Sequence, residues 1–222
     1  MVYSHKQNLL FLRLPKNAST SLATWFIQNC CDEKDIWTGL HDSKIPPNNF
    51  PESVLKKYKD GFRKLHLTLN ELVEEKVISR GQAMDSNVIG VVRNPYHRQL
   101  SLFFFKTRGR PQERTVENFR NLLKNGYHDS DMNNRILQSN YFKLGDDFAP
   151  NADPWRYEDI DERLEDLIKT REIKNTHSLK KYKSNYKPKD MESLESEYYD
   201  DATREAVYNY YRQDFELLKG LK

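Results

Sequence analysis

Cysteine is nearly absent: the 222 residues hold two, Cys30 and Cys31, and they are neighbours. Adjacent thiols make a poor disulfide and leave nothing else in the chain to pair with. No disulfide framework is expected, and a reducing compartment is. Long apolar runs are missing too, since none reaches the roughly 20 residues needed to cross a bilayer. The run over 9–14 is short and interrupted by Arg13, which does not suit a secretory leader. A cytoplasmic location is the expectation. Neither sign of charge dominates, with 36 Lys and Arg against 33 Asp and Glu and a net charge of +3. No global field draws the chain to nucleic acid or membrane. No RRM-like or KH-like motif occurs, nor any His/Cys/Asp cluster with metal-ligand spacing. The Gly-x-x-x-x-Gly-Lys-Ser/Thr loop of nucleoside triphosphatases is also lacking, and there is no internal repeat.

What is present points to a wet surface around a real core. Mean hydropathy is −0.90, yet 13 Tyr, 11 Phe and 3 Trp argue against disorder, which is poor in aromatics. The length suits one domain over 1–222. Buried strands are expected over 9–14, 62–67 and 87–92, with a shorter one at Trp155-Arg156-Tyr157. Helices are expected over 19–29, from the Thr68–Glu71 capping box to about 77, from Pro95 onward, and over 116–124, 135–144, 160–169 and 201–218. In the last helix, Val207, Tyr210, Tyr211, Phe215 and Leu218 mark one packing face. Segments 38–53, 146–154 and 174–196 read as loop, the last a long one, and 107–114 as a basic turn. Strands alternating with helices predict an α/β fold: a central, mainly parallel sheet flanked by helices. Such sheets bind ligands at the carboxyl ends of their strands, where Lys16 and Arg93 fall.

Two stretches carry candidate chemistry. In LLFLRLPKNASTSLATWF, residues 9–26, a strand ends in Pro15 and Lys16, and Ser19, Thr20 and Ser21 open a helix. Helix N-termini of this kind hold anions; the plainer reading is a cluster of N-capping hydroxyls. Asn17-Ala18-Ser19 is also a glycosylation sequon, but a glycan there would block the anion site. In VIGVVRNPYHRQLSLFFF, residues 88–105, Arg93 ends a strand and Ser101 follows on the adjoining helix, with Arg98 between. A guanidinium fork and a hydroxyl can converge on one phosphate. The alternative is an arginine paired with a carboxylate and a serine on a helix surface.

Together these stretches resemble the sulfotransferases that use 3′-phosphoadenosine 5′-phosphosulfate. The resemblance implies a P-loop-like 5′-phosphosulfate loop at Lys16-Asn17-Ala18-Ser19-Thr20-Ser21, with backbone N–H groups and hydroxyls turned to the donor. It implies that Arg93 and Ser101 bind the 3′-phosphate. Arg156-Tyr157-Glu158-Asp159 and Tyr198-Tyr199-Asp200, with Tyr211 and Asp214-Phe215 beyond, look like closing segments of the carbohydrate-type branch. The implied reaction moves a sulfuryl group to a hydroxyl acceptor, a carbohydrate in that branch, without a metal, nucleic acid or membrane span. Lys16 is then placed to neutralise charge on the leaving oxygen. His66, near the end of the 62–67 segment, is the candidate base, with His41 and Glu71 as alternatives. His97 falls beside the 3′-phosphate rather than the sulfur. Lys180, Lys181, Lys183 and Lys187 lie where the family places a third basic segment, and a solvated loop explains them equally. Trp37 and Trp155 are candidates for stacking on sugar rings, with core packing as the default. Two other functions share some of these features. A nucleotide or phosphate kinase would need acidic Mg²⁺ ligands at a strand end, where Arg93-Asn94 stands. An RNA-binding module would rest on basic patches such as 180–187.

Overall fold

The computed structural model describes residues 1–40, 45–57, 66–124, 137–180 and 190–221. Among them the strands are β1 (Val2–Ser4), β2 (Leu9–Leu12), β3 (Ile36–Trp37), β4 (Asn87–Val92), β5 (Lys143–Leu144), β6 (Asp147–Phe148) and β7 (Ala152–Arg156). The helices are α1 (Ser19–Cys30), α2 (Glu52–Lys57), α3 (Leu69–Glu74), α4 (Arg80–Asp85), α5 (Pro95–Lys106), α6 (Val116–Lys124), α7 (Ile160–Thr170), α8 (Met191–Tyr198), α9 (Asp201–Tyr210) and α10 (Arg212–Gly220). The central sheet has the order β3-β1-β2-β4-β7, and β5 and β6 form a separate ribbon. β2 pairs parallel with β4 and β4 with β7, whereas β1 runs antiparallel to both β2 and β3. Four of the five strands therefore point the same way, as a mainly parallel sheet requires.

β2 is buried along its whole length and β4 everywhere but its first residue, as expected of strands covered on both faces. Strand alternation sends Leu10, Leu12, Val88 and Val92 into one layer with α3 and Phe142. Leu9, Phe11, Ile89 and Val91 go into the other, under α1 and α7. Gly90 faces the first layer, where a Cβ would sit 2.8 Å from Phe142 Cζ; only glycine lets that ring lie against the sheet. A third cluster gathers Phe103, Phe104, Phe119, Tyr198, Tyr199 and Tyr211 between α5, α6, α8 and α9. Much of the aromatic content is spent there.

Several expectations need correction. Of the strand expected over 62–67, residues 62–65 lie outside the described residues, and His66 and Leu67 are not in a strand. The helix expected over 135–144 is instead a 3₁₀ turn, Ser139–Phe142, followed by β5; residues 135–136 are not described. Its entry is redirected because the backbone N–H groups of Gln138 and Ser139 donate to the Asp214 carboxylate, at 2.9 and 3.0 Å. The loop expected over 146–154 contains β6 and the start of β7. Pro154 is tolerated because β7 is an edge strand, where a missing N–H faces no partner. Within 174–196, the segment 191–196 belongs to α8, whose Asp190 side chain caps Ser193 N–H, and 181–189 lie outside the described residues. The last helix breaks at Tyr211 into α9 and α10. Tyr210 consequently stays 46% exposed while Val207 and Tyr211 are buried. β1, β3, α2 and α4 were not foreseen; each is too short to show a hydrophobic period.

Candidate active site

β2 and β4 release their chains at the same end of the sheet, since Leu12 pairs with Gly90. From β2 the chain passes Pro15 into a turn that places two non-glycine residues in the left-handed region, Lys16 at φ 67° and Ala18 at φ 57°. Each such residue costs roughly 1–2 kcal/mol. Ala18 is the N-cap of α1, no side chain caps that helix, and no acidic residue stands in its first turn. The cap-cluster reading of Ser19, Thr20 and Ser21 therefore fails; by contrast α3, α4 and α9 each have a full capping box. Ser19 and Ser21 are buried and Thr20 half-buried. Lys16 Nζ lies 4.0 Å from the centroid of the Phe105 ring. Phe105 is one turn beyond Ser101 on α5, so Lys16 reaches the helix that carries the second motif.

At the end of β4, Asn94 caps α5 through Tyr96 N–H, and Pro95 occupies its first position. Arg93 is 2% exposed and Arg98 0%. Arg93 packs its guanidinium 4.4 Å from the Tyr157 ring centroid. Tyr157 is set there by its N–H to the Val92 carbonyl, at 2.8 Å. Burial pushes the Arg93 guanidinium below its ordinary pKa, while Tyr157 and Glu158 act in the opposite sense. Arg98 Nε donates to the Pro15 carbonyl at 3.4 Å, joining α5 to the first loop. Several other donors are orphaned: Arg93 Nε and Nη1, Arg98 Nη1 and Nη2, and the Ser101 hydroxyl are buried with no hydrogen-bond partner among the described residues. The carboxylate-pair reading of Arg93 thus finds no support there, and Ser101, 5% exposed, is not a surface serine. An unpaired buried charge costs several kcal/mol and an unsatisfied buried donor about 1–3. Two such cations and a buried hydroxyl on the β4–α5 junction leave donors that an anion could take up.

The Asn17 side chain turns inward: its Nδ2 donates to Val91 O at 2.7 Å and to Gln138 Oε1 at 2.6 Å. At 1% exposure it offers nothing for a glycan. Gln138 also accepts from Arg93 N–H at 2.9 Å and donates to Arg93 O at 2.9 Å and Asp214 Oδ2 at 3.3 Å. The sequence reading missed this glutamine altogether, because its partners are 45, 76 and 121 residues away. Arg98 is named in the second motif from the sequence but given no role there, although its spacing on α5 between Arg93 and Ser101 carried a usable signal.

The sequence profile of the Sulfotransferase family matches residues 1–219. The chain belongs to the sulfotransferase family. Its chemistry is therefore that of a transferase moving sulfuryl groups. No curated protein and no solved structure matches the chain. Among the described residues no group of His, Cys, Asp and Glu is placed to hold a metal ion, and no helix is long and apolar enough to cross a membrane.

The other residues of this sulfotransferase singled out from sequence fall as follows. His66 is 3% exposed, and its Nδ1 lies 2.6 Å from the Arg13 carbonyl, just past β2. A carbonyl only accepts, so Nδ1 carries a proton in that bond. His66 is thus held at the carboxyl end of β2 by that bond, not by a strand of its own. Glu71 is committed to the α3 capping box through Thr68 N–H. His97 Nε2 pairs with Glu195 at 3.0 Å, on the α8 side of α5. His41, Lys181, Lys183 and Lys187 lie outside the described residues, and Lys180 is exposed. Trp155 is 2% exposed in the core, so it is not available to stack on a sugar.

Proposed function

We propose that this sulfotransferase uses 3′-phosphoadenosine 5′-phosphosulfate and transfers to a hydroxyl of a carbohydrate. The observation that carries the donor assignment is the set of orphaned donors on Arg93, Arg98 and Ser101. A nucleotide with a separate 3′-phosphate supplies the compact dianion they lack. Arg93 and Ser101 bind that phosphate. The P-loop-like turn, Asn17 and Ala18 with the hydroxyls of Ser19, Thr20 and Ser21 at the α1 N-terminus, holds the 5′ end, where the helix dipole favours negative charge. The bound donor supplies the sulfuryl group and a phosphate leaving group. Lys16 neutralises the charge that grows on the leaving oxygen. His66 takes the acceptor's proton. The carbohydrate acceptor is supported by the likeness of 156–159 and 198–215 to the carbohydrate-type branch.

Calorimetry with adenosine 3′,5′-bisphosphate tests the donor site. Arg93→Ala removes a charge-assisted contact of about 1.5–3 kcal/mol, so affinity falls roughly tenfold or more. Preference over AMP shrinks in that variant and in Ser101→Ala. A folded Arg93→Ala chain with wild-type affinity overturns the assignment. Heat protection by the bisphosphate but not by ATP-Mg separates this reading from a kinase. Turnover of labelled donor against a panel of glycans and small alcohols identifies the acceptor.

A further inference from the structure

We propose that Gln138 is a positioning residue that fixes the loop carrying Lys16 against the strand end carrying Arg93, so that the two halves of the donor site keep one spacing. This rests on the donor assignment above. Gln138 is 0% exposed. A glutamine amide has two donor hydrogens and two acceptor lone pairs. Here all four are used: Oε1 accepts from Asn17 Nδ2 at 2.6 Å and Arg93 N–H at 2.9 Å, and Nε2 donates to Arg93 O at 2.9 Å and Asp214 Oδ2 at 3.3 Å.

The orientation of the amide is fixed by its partners. Asn17 Nδ2 and Arg93 N–H only donate; the Arg93 carbonyl and the Asp214 carboxylate only accept. A flipped amide would lose all four bonds. Asp214, itself 0% exposed, also takes the backbone N–H groups of Gln138 and Ser139, at 2.9 and 3.0 Å. The C-terminal helix α10 thereby anchors the glutamine. Among the described residues, Gln138 grips both main-chain groups of Arg93 while holding the loop side chain of Asn17. A donor with anionic groups at its 3′ and 5′ ends reads the distance between the two cradles. A misplacement near 1 Å costs on the order of 10²-fold in rate.

Gln138→Glu separates positioning from bulk. The carboxylate has the same shape but no hydrogen to give, and it stands beside Asp214 and the Arg93 carbonyl; only its protonated form restores a donor. The full chain is compared with this variant by calorimetry with adenosine 3′,5′-bisphosphate and AMP, by melting temperature, and by hydrogen exchange at the Arg93 amide. The expected result at pH 8 is a bisphosphate affinity lowered about 10–100-fold, a bisphosphate-to-AMP preference shrunk toward one, and faster exchange at Arg93. Lowering the pH restores all three in the variant. Wild-type affinity and preference in folded Gln138→Glu overturn the inference. So does a pH-independent loss that tracks melting temperature, which marks a purely structural residue. If Gln138→Glu does not fold, Asn17→Ala removes one arm of the clamp: a shrunken preference in a folded chain supports the inference, and an unchanged one overturns it. If the wild-type chain fails to bind the bisphosphate while Arg93 exchange still accelerates in Gln138→Glu, the donor assignment falls and the clamp stands.

Discussion

Lys16 and His66 sit at the same end of β2 but are held in different ways, Lys16 over the Phe105 ring and His66 on the Arg13 carbonyl. Under the proposed mechanism their substitutions separate. Lys16 acts where charge develops, so Lys16→Ala loses more turnover than donor affinity. His66 acts on the acceptor, so His66→Ala keeps near-normal bisphosphate binding and loses about 10²-fold in turnover. Wild-type turnover in folded His66→Ala moves the base elsewhere, with His41 the next candidate. A loss of donor binding equal to the loss of rate makes His66 structural. At this scale the two motifs that carry Lys16, Arg93 and Ser101 were legible because motif spacing is local. Gln138 gave no signal, since a lone glutamine between Leu137 and Ser139 is ordinary until distant partners close on it.

The loop between β2 and α1 does without glycine by accepting strain. Ala18 stands at φ 57° as the N-cap of α1. Glycine there would remove the left-handed penalty of roughly 1–2 kcal/mol against a loss of about 0.4–1 kcal/mol from the freer unfolded chain. Ala18→Gly should therefore leave stability unchanged or raise it by up to about 1.5 kcal/mol, the reverse of the usual effect of glycine within a helix. Urea midpoints of the two chains check this, and a clear fall in midpoint for Ala18→Gly removes the strain argument. The long elements were readable at this scale: β4 was expected over 87–92 and is Asn87–Val92, and α6 was expected over 116–124 and is Val116–Lys124. The failures fall where a distant group overrides local preference, as Asp214 does at 138–139.

Across the whole molecule, folding buries phenols and thiols that ionise in alkali. Burial raises Cys30 from 9.0 to about 12 and Tyr211 from 10.0 to about 12, and it pushes Cys31 and Tyr199 upward as well. Between those limits the folded chain keeps protons that the unfolded chain has lost. Stability is then unaffected by these groups below about pH 9 and falls as pH rises toward 12. Melting temperature recorded from pH 8 to 11 should decline progressively above 9; a flat profile would show that these groups ionise alike in both states.

The sequence by itself determined the α/β class, the β2–α1 and β4–α5 junctions and the family, because apolar period, proline placement and motif spacing are written within about twenty consecutive residues. Only the tertiary structure decided that Arg93 and Arg98 are buried without an ion-paired carboxylate among the described residues, that Asn17 points inward, and that Gln138 and Asp214 tie the C-terminal third of the chain to both motifs. Those facts depend on hydrogen bonds between residues up to 121 positions apart. Such contacts form only once the sheet has set its strand order, and no local pattern encodes them.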